Sequence, residues 1–533
     1  MAGHRTLRNR LASRVLLFFL FFAGVVLLQW RGNAFQSEFG GTQDEAAHYI
    51  TGLMVHDYIA AGFPGPPLLY ARNYYLHYPK VALGHWPPVF YIVQAAWTLL
   101  FTPSRTSVML LMAAITALLA TVLCETLREE FSLALSAGAA ALLISLPAIE
   151  EFSHFVMAEM LVALLLLFAV LAYGRYLDTA RWQPAAWFGI WFSLALMTKG
   201  TGIQLALVPP LAVLFSRRWN LLPRFSFWLP AILVLGIAGP WYMWVPGAQH
   251  ESVARFGGVE FLSRRLSSTP ATWVGMLGVI PLVAVIFGIL LCLRRMTGRS
   301  ASGKWTASAA VIVAAFVVRL FIGAFEERHL LGNLPELIMF GTVAVAWLLR
   351  RWRWPAISGV ALAALATIVA LNIQASPLKR HFGFSEIARD LLSRPQFKNS
   401  VFLVCSNAEG EGMLISEVAA RESRPGHIVL RATKMLASIN WMGSDYQVLF
   451  HNPQDLMQHL EGIPAGIIVV DNEGRRALHG QLLYQGLQSH PERWELLSRV
   501  NDIEVYRLIG HEDKPVGKIR IPMRSGLYGS FQN

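Results

Sequence analysis

The chain has 533 residues, of which 45 are Lys or Arg and 33 are Asp or Glu, for a formal charge of +12. Hydrophobic residues make up 55% and charged residues 15%, and the mean hydropathy is +0.45. An ordinary soluble domain carries about 45–50% apolar and about 25% charged residues. This chain therefore lacks the polar skin of a soluble enzyme of its length, which also excludes disordered, collagen-like and basic nucleic-acid-binding chains. A polytopic α-helical membrane protein with a soluble part remains. The surplus of basic residues is read as loop Lys and Arg that set topology, not as a site for an anionic partner. Cys124, Cys292 and Cys405 are far apart in the chain and form neither a disulfide framework nor a CxxC metal pattern.

The first apolar run, Leu11 to Trp30, is flanked or entered by Arg5, Arg8, Arg10 and Arg14. It is too long for the core of a cleaved signal peptide, so an uncleaved anchor with a cytoplasmic N-terminus is expected. A polar, aromatic segment, 31–85, follows on the outer side. Further apolar segments lie near 87–101, 106–123, 132–149, 157–173, 185–198, 200–215, 225–246, 273–293, 305–323, 329–349 and 354–374. The basic loops near Arg175, Arg217, Arg294 and Arg350 all fall inside if 87–101 does not cross. That segment is therefore read as a re-entrant or interfacial helix starting at Pro87-Pro88. Two short helices are expected to meet at Thr198-Lys199-Gly200. This arrangement has about eleven crossings, within an expected range of about 11–13 spans, and a C-terminus outside. Its outer loops are 31–85, the Glu150-Glu151 turn, the Thr198-Lys199-Gly200 turn, Val245 to Thr272, and Glu326-Glu327-Arg328-His329.

From Ser376 charged residues return and apolar runs shorten. Val401–Val404, His427–Leu430 and Ile467–Val470 read as strands. Glu411–Ala420 and Gln454–Leu460 have helical spacing. Trp494–Leu497 and Ile503–Tyr506 read as a final strand pair. Strands alternating with helices predict a small α/β sheet. The expected organisation is a transmembrane catalytic domain over 1–375, an extracytoplasmic α/β domain over 376–511, and a basic tail over 512–533.

Asp44-Glu45 lies just past the first span. Its functional reading is a general base at the membrane surface. The alternative is an N-cap, with Thr42 or Asp44 starting the helix through Tyr49. His77, Lys80 and His85 sit in an aromatic stretch suited either to an anionic headgroup or to an interfacial belt. Glu159 opens an apolar segment, where a carboxylate faces a cavity or partner, or else reaches headgroup water. Lys199 suits a phosphate contact or snorkelling. Arg328 suits bidentate phosphate binding or a local salt bridge. Together these residues fit transfer from a lipid-linked phosphate. That reaction needs a base for the acceptor and cations for the leaving group. No Walker A, GxGxxG or HExxH motif is present.

Asp44-Glu45, His85-Trp86-Pro87-Pro88, Met157-Ala158-Glu159-Met160-Leu161, Thr198-Lys199-Gly200 and Glu327-Arg328-His329-Leu330-Leu331 occur in an order that resembles the dolichyl-phosphate-mannose protein mannosyltransferase superfamily. This superfamily includes the transferases that move aminoarabinose onto lipid A. The resemblance spans residues 10 to 350. It implies a GT-C fold, a polyprenyl-phosphate sugar donor, an extracytoplasmic active site, and inversion at the anomeric carbon. The acceptor would be a lipid, glycan or protein. It matches the family's first-loop acid to Asp44 as catalytic base, with Glu45 and Glu159 as further catalytic carboxylates. Lys199, Arg328, His85 and Lys80 would bind the donor phosphate. Glu159 stands where the family commonly has aspartate, and His329 where it often has tyrosine.

No cofactor is expected. Asp44, Glu45 and Glu159 offer oxygen ligands, but a divalent cation is expected to be dispensable. Two other classes fit the same composition. A transporter or flippase of lipid-linked sugars would also carry ionisable residues and broken helices, but it would place them at mid-membrane within an inverted repeat. A non-catalytic scaffold would need its C-terminal domain and not Asp44.

Overall fold

The computed structural model describes residues 2–82, 84–245, 258–298, 301–321, 326–351, 355–439 and 446–510. The predicted basic tail, 512–533, lies outside the described residues, as does part of the predicted 245–272 loop. The chain divides into two compact units. One comprises Met1–Gly32, Trp86–Phe90 and Met109–Leu378, and the other Asn33–His85, Tyr91–Val108 and Lys379–Asn533. The sequence grouped 31–85 with the membrane part. Its contacts instead place nearly all of it in the unit that holds the C-terminal sheet.

The first unit is helical. Among the described residues six helices are long and apolar enough to cross a membrane: Leu11–Arg31, Arg105–Arg128, Glu159–Thr179, Val279–Met296, Gly303–Phe321 and Glu327–Arg351. The pair Leu133–Ser145 and Pro147–Ser153, bent by 66°, adds a broken span or re-entrant loop. Gly200–Ser216, Phe225–Ile237 and Ala363–Gln374 are shorter apolar helices; Val89–Leu100 is another, and all but its first two residues belong to the second unit. The protein is an integral membrane protein. The part of the predicted outer loop before Thr272 that is described is helical, within Gly258–Leu277.

Small residues let these helices approach closely, because in lipid the association of spans rests on packing. Ala113, Ala117, Ala120 and Cys124 repeat every three or four residues and so share one helix face. That face packs on Leu17, Phe21 and Val25 of the first helix. A Cβ on Gly288 would lie 1.8 Å from the carbonyl oxygen of Phe340, so only glycine allows that crossing of Val279–Met296 over Leu334–Arg351.

The second unit carries a five-stranded sheet. Its strands are β1 (Val401–Cys405), β2 (Val429–Arg431), β5 (Ala465–Val470), β6 (Trp494–Val500) and β7 (Ile503–Leu508), in the order β2-β1-β5-β7-β6. A separate hairpin pairs β3 (Ala437–Ser438) with β4 (Gln447–Val448). β1 pairs in parallel with β2 and with β5, and β7 joins antiparallel to β5 and β6. Every residue of β1 and β5 is buried, as expected of central strands covered on both faces. That is why both read as unbroken apolar runs. The expected strands and helices of this region are present. The helices Phe384–Ser393 and Leu478–Ser489 were not foreseen.

The same unit is laced by buried and half-buried polar contacts between its segments 33–85 and 91–108 and its C-terminal region. Arg424 holds Asp57 through two nitrogens at 2.8 and 3.0 Å, and Tyr74 donates to the same carboxylate at 2.8 Å. Glu38 is fully buried and accepts the backbone N–H groups of Phe382, Gly383 and Ser385. Arg105 pairs with Glu417.

Candidate active site

The predicted residues form two clusters, one in each unit. In the helical unit, Ala158 precedes the first turn of the Glu159–Thr179 helix, so Glu159 enters it with its carboxylate near the helix N-terminus. That end of a helix favours negative charge. Glu159 is buried, and Lys199 Nζ reaches its Oε1 at 2.5 Å. Arg328 Nε stands 3.8 Å from the same oxygen.

Both cations are delivered by irregular helix. The Trp182–Leu196 helix ends, and Lys199 follows in extended conformation at the start of a 3-10 helix, Gly200–Leu207. This realises the two short helices expected to meet at this turn. Gly202 permits the reversal, since a Cβ there would meet Leu196 N at 2.6 Å. Arg328 lies in a second 3-10 helix, Glu327–Asn333, whose Gly332 packs against Leu166. Deeper in the unit the two 3-10 segments are joined by their buried side chains. Asn333 Nδ2 donates to Gln204 Oε1 at 3.1 Å.

Arg328 also pairs with Glu326 at 2.8 Å. The local salt bridge read from the sequence is therefore present together with the contact to Glu159. His329 turns back to accept the Glu326 N–H at 3.1 Å in a capping box. It thus fixes the start of the segment that carries Arg328. Two cations gathered on one carboxylate are oriented and desolvated in advance. That arrangement can receive a phosphate without first reorganising.

The second cluster contains Asp44, Glu45, Lys80 and His85. Asp44 is the N-cap residue of the Glu45–Ala60 helix, yet its side chain makes no capping hydrogen bond. The capping alternative therefore accounts for its position in the chain but not for its side chain. Glu45 is different: it is fully buried, paired with Lys379 at 2.6 Å, and accepts the Gly41 N–H at 2.8 Å. A carboxylate so engaged ties down the loop.

Lys80 is buried and donates to the Gln43 carbonyl at 3.2 Å. Burial, with repulsion from Arg431, lowers its pKa to about 7, against the attraction of Glu411, Asp44 and Glu409. Burial likewise lowers His85 to about 4, with Asp44 opposing. At neutral pH His85 is an uncharged imidazole. It offers a hydrogen bond and not the positive charge that the sequence led us to expect.

Sequence reasoning missed the packing that shapes this cluster. The helix Ala408–Arg421 lies against it through glycines. A Cβ on Gly412 would stand 2.9 Å from Ala46 Cβ and 3.1 Å from Lys80 Cε, and one on Gly40 would stand 2.4 Å from Met413 Sδ. Glu411 on this helix accepts from Arg431 Nε at 2.6 Å and from Thr433. Glycines in an acidic run, Glu409-Gly410-Glu411-Gly412, were the available signal.

Among the described residues one group has metal-ligand geometry: Glu38, His381 and Glu386. Both oxygens of Glu38 already accept backbone amides, and His381 bridges to Glu386 at 3.0 Å, so this group is read as a loop tie.

Residues 85–244 match the family described as Dolichyl-phosphate-mannose-protein mannosyltransferase. The matched span includes His85, Glu159 and Lys199. ArnT from Cupriavidus metallidurans in the apo state superposes with a TM-score of 0.62 at 15% identity, over 93% of this chain and 98% of that one. The chain has the GT-C glycosyltransferase fold. The same ArnT bound to undecaprenyl phosphate gives 0.61 at 14% identity, over 93% and 98%. The archaeal oligosaccharyltransferase AglB from Archaeoglobus fulgidus, in complex with an inhibitory peptide and a dolichol-phosphate, gives 0.52 at 13% identity, over 85% and 69%. No curated protein matches the sequence. The resemblance read from the motifs is borne out.

Proposed function

We propose that the protein transfers a sugar from a polyprenyl-phosphate donor to an acceptor hydroxyl or amine on the extracytoplasmic side of the membrane. The observation that carries this reading is the convergence of Lys199 and Arg328 on buried Glu159. The undecaprenyl phosphate and dolichol-phosphate bound by ArnT and AglB support a lipid phosphate as the leaving group.

In the reaction, the acceptor attacks the anomeric carbon and the bond from that carbon to the phosphate oxygen breaks, with inversion. The acceptor proton passes to Asp44. The polyprenyl phosphate leaves with its charge held by Lys199 and Arg328. Such electrostatic stabilisation is worth about 10²–10³ in rate per donor group. Glu159 orients both cations. Lys80 adds charge when protonated, and His85 adds a hydrogen bond. Glu45 positions the loop that bears Asp44. The cations supply the positive charge the leaving group needs, so transfer proceeds without a divalent metal. The sugar is a hexose or a pentose, and the acceptor a lipid, glycan or protein. The N-terminus is cytoplasmic and the α/β region extracytoplasmic, in line with the basic loops.

The test is transfer of radiolabelled sugar from a panel of polyprenyl-phosphate sugars in membranes containing wild type or Asp44→Asn. Donor consumption that needs Asp44 supports the reading. Equal consumption by both proteins removes Asp44 as the base.

A further inference from the structure

A second site stands apart from the charged clusters in the helical unit. A cavity of about 750 Å³ opens between the first helix and the helices Arg105–Arg128, Glu159–Thr179 and Trp182–Leu196. This volume is within the about 300–1,000 Å³ of ordinary ligand sites. Its wall is apolar and aromatic, built from Phe18, Leu118, Phe168, Leu171, Trp187 and Trp191. The rings are ordered among themselves: Trp187 stacks on Trp191 at 5.7 Å, and Phe168 meets Trp191 at 4.9 Å. Three of the four helices are long and apolar enough to cross a membrane, so the wall lies at hydrocarbon depth.

The rim is charged, and both of its acids are paired with basic side chains. Arg14, Glu125, Glu129 and Arg175 line it. Glu125 is held by Arg14 at 2.9 Å and by Arg128 at 2.5 Å. Glu129 shares Lys304, at 3.1 Å, with Glu130, at 2.7 Å, and Glu130 is held in turn by Arg295 at 3.0 Å. Both acids are thereby neutralised within the protein. Arg175 is exposed and makes no ion pair among the described residues. An occupant must therefore be apolar along its body and anionic at one end. Arg175 presents a planar guanidinium suited to two oxygens of a phosphodiester. Trp187 is 53% exposed, so this side of the wall is open to an occupant.

We propose that this groove binds one anionic phospholipid, with its acyl chains against the aromatic wall and its phosphate on Arg175. The basic rim assigns the lipid to the cytoplasmic leaflet under the positive-inside rule. The proposal is independent of the transfer reaction, since none of its residues belongs to either charged cluster.

The experiment is native mass spectrometry of the full-length protein, released from detergent supplemented with dioleoylphosphatidylglycerol or dioleoylphosphatidylcholine. Wild type should retain one phosphatidylglycerol per chain in preference to phosphatidylcholine. Arg175→Ala, at an exposed position, should reduce that preference about tenfold, the scale of one lost charged hydrogen bond. Leu118→Trp, which fills the groove, should reduce retention of both lipids. Equal retention of the two lipids by wild type overturns the proposal. So does a preference that survives Arg175→Ala, or retention that survives Leu118→Trp. A dimer that Leu118→Trp dissolves, with no lipid retained by wild type, assigns the groove to a second copy of the chain and also overturns it.

Discussion

Glu45 and Lys379 are 334 residues apart in the chain, and their side chains meet at 2.6 Å in the interior of one unit. Glu45 is fully buried and the Lys379 side chain is 3% exposed. Two such charges are stable only together, because neither has water to replace its partner. The pair anchors the first turn of the helix that begins directly after Asp44. Glu45 therefore acts on Asp44 through the backbone.

Breaking this pair on one side is expected to destabilise the protein by about 3–5 kcal/mol. Thermal unfolding in detergent should show a large loss for Glu45→Gln or Lys379→Met alone. The double variant should recover most of that loss, because no uncompensated charge stays buried. Additive losses would show that the two groups act independently.

Lys199→Ala or Arg328→Ala is expected to lower kcat for transfer by about 10²–10³. Glu159→Gln keeps the shape and removes the charge that gathers both cations, so it should lower kcat by a similar factor. Initial rates at saturating donor check this, with the thermal midpoint as a control for folding. An unchanged kcat in Lys199→Ala would remove the phosphate role.

Asn333→Leu leaves the buried Gln204 amide without its partner, at a cost of about 1–3 kcal/mol. The combined Gln204→Leu and Asn333→Leu variant should regain stability, since no orphaned polar group remains. It should not regain transfer rate, because the tie between the segments bearing Lys199 and Arg328 stays cut. Recovery of both properties would show that the pair serves packing alone.

Two depressed pKa values give opposite signs for activity and stability. Lys80, at about 7 in the fold, carries its ammonium below that pH and loses it above. A rate that uses this charge should fall as pH rises through about 7, and Lys80→Arg should abolish that limb. Stability runs the other way: between about 7 and the ordinary lysine value of 10.5 the unfolded chain binds the extra proton, so stability rises with pH. His85 behaves alike at lower pH. Its contribution is present above 6.5 and lost as pH falls towards about 4. His85→Gln should flatten the stability curve in that acid range, as followed by unfolding across a pH series.

The motif residues differ in how much of their setting could be read in advance. The break at Thr198-Lys199-Gly200 was readable because glycine and proline interrupt an apolar run locally. β1 and β5 were readable because burial on both faces leaves a continuous apolar string. The engagement of Glu45 was not, since nothing near it in sequence announces Lys379. The neutrality of His85 was hidden as well, because burial is a property of packing and not of residue type.

Hydropathy, basic loops and five short motifs in order determined by themselves that this is a polytopic membrane protein, and which fold it resembles. Those properties are carried by neighbouring residues and need no knowledge of distant ones. Only the tertiary structure decided that Lys199 and Arg328 share Glu159, that Lys379 neutralises Glu45, and that the Ala408–Arg421 helix packs on the Asp44 loop through glycine. The partner of a buried charge is whichever group the packed chain brings within a few ångströms, and that depends on contacts between segments far apart in sequence.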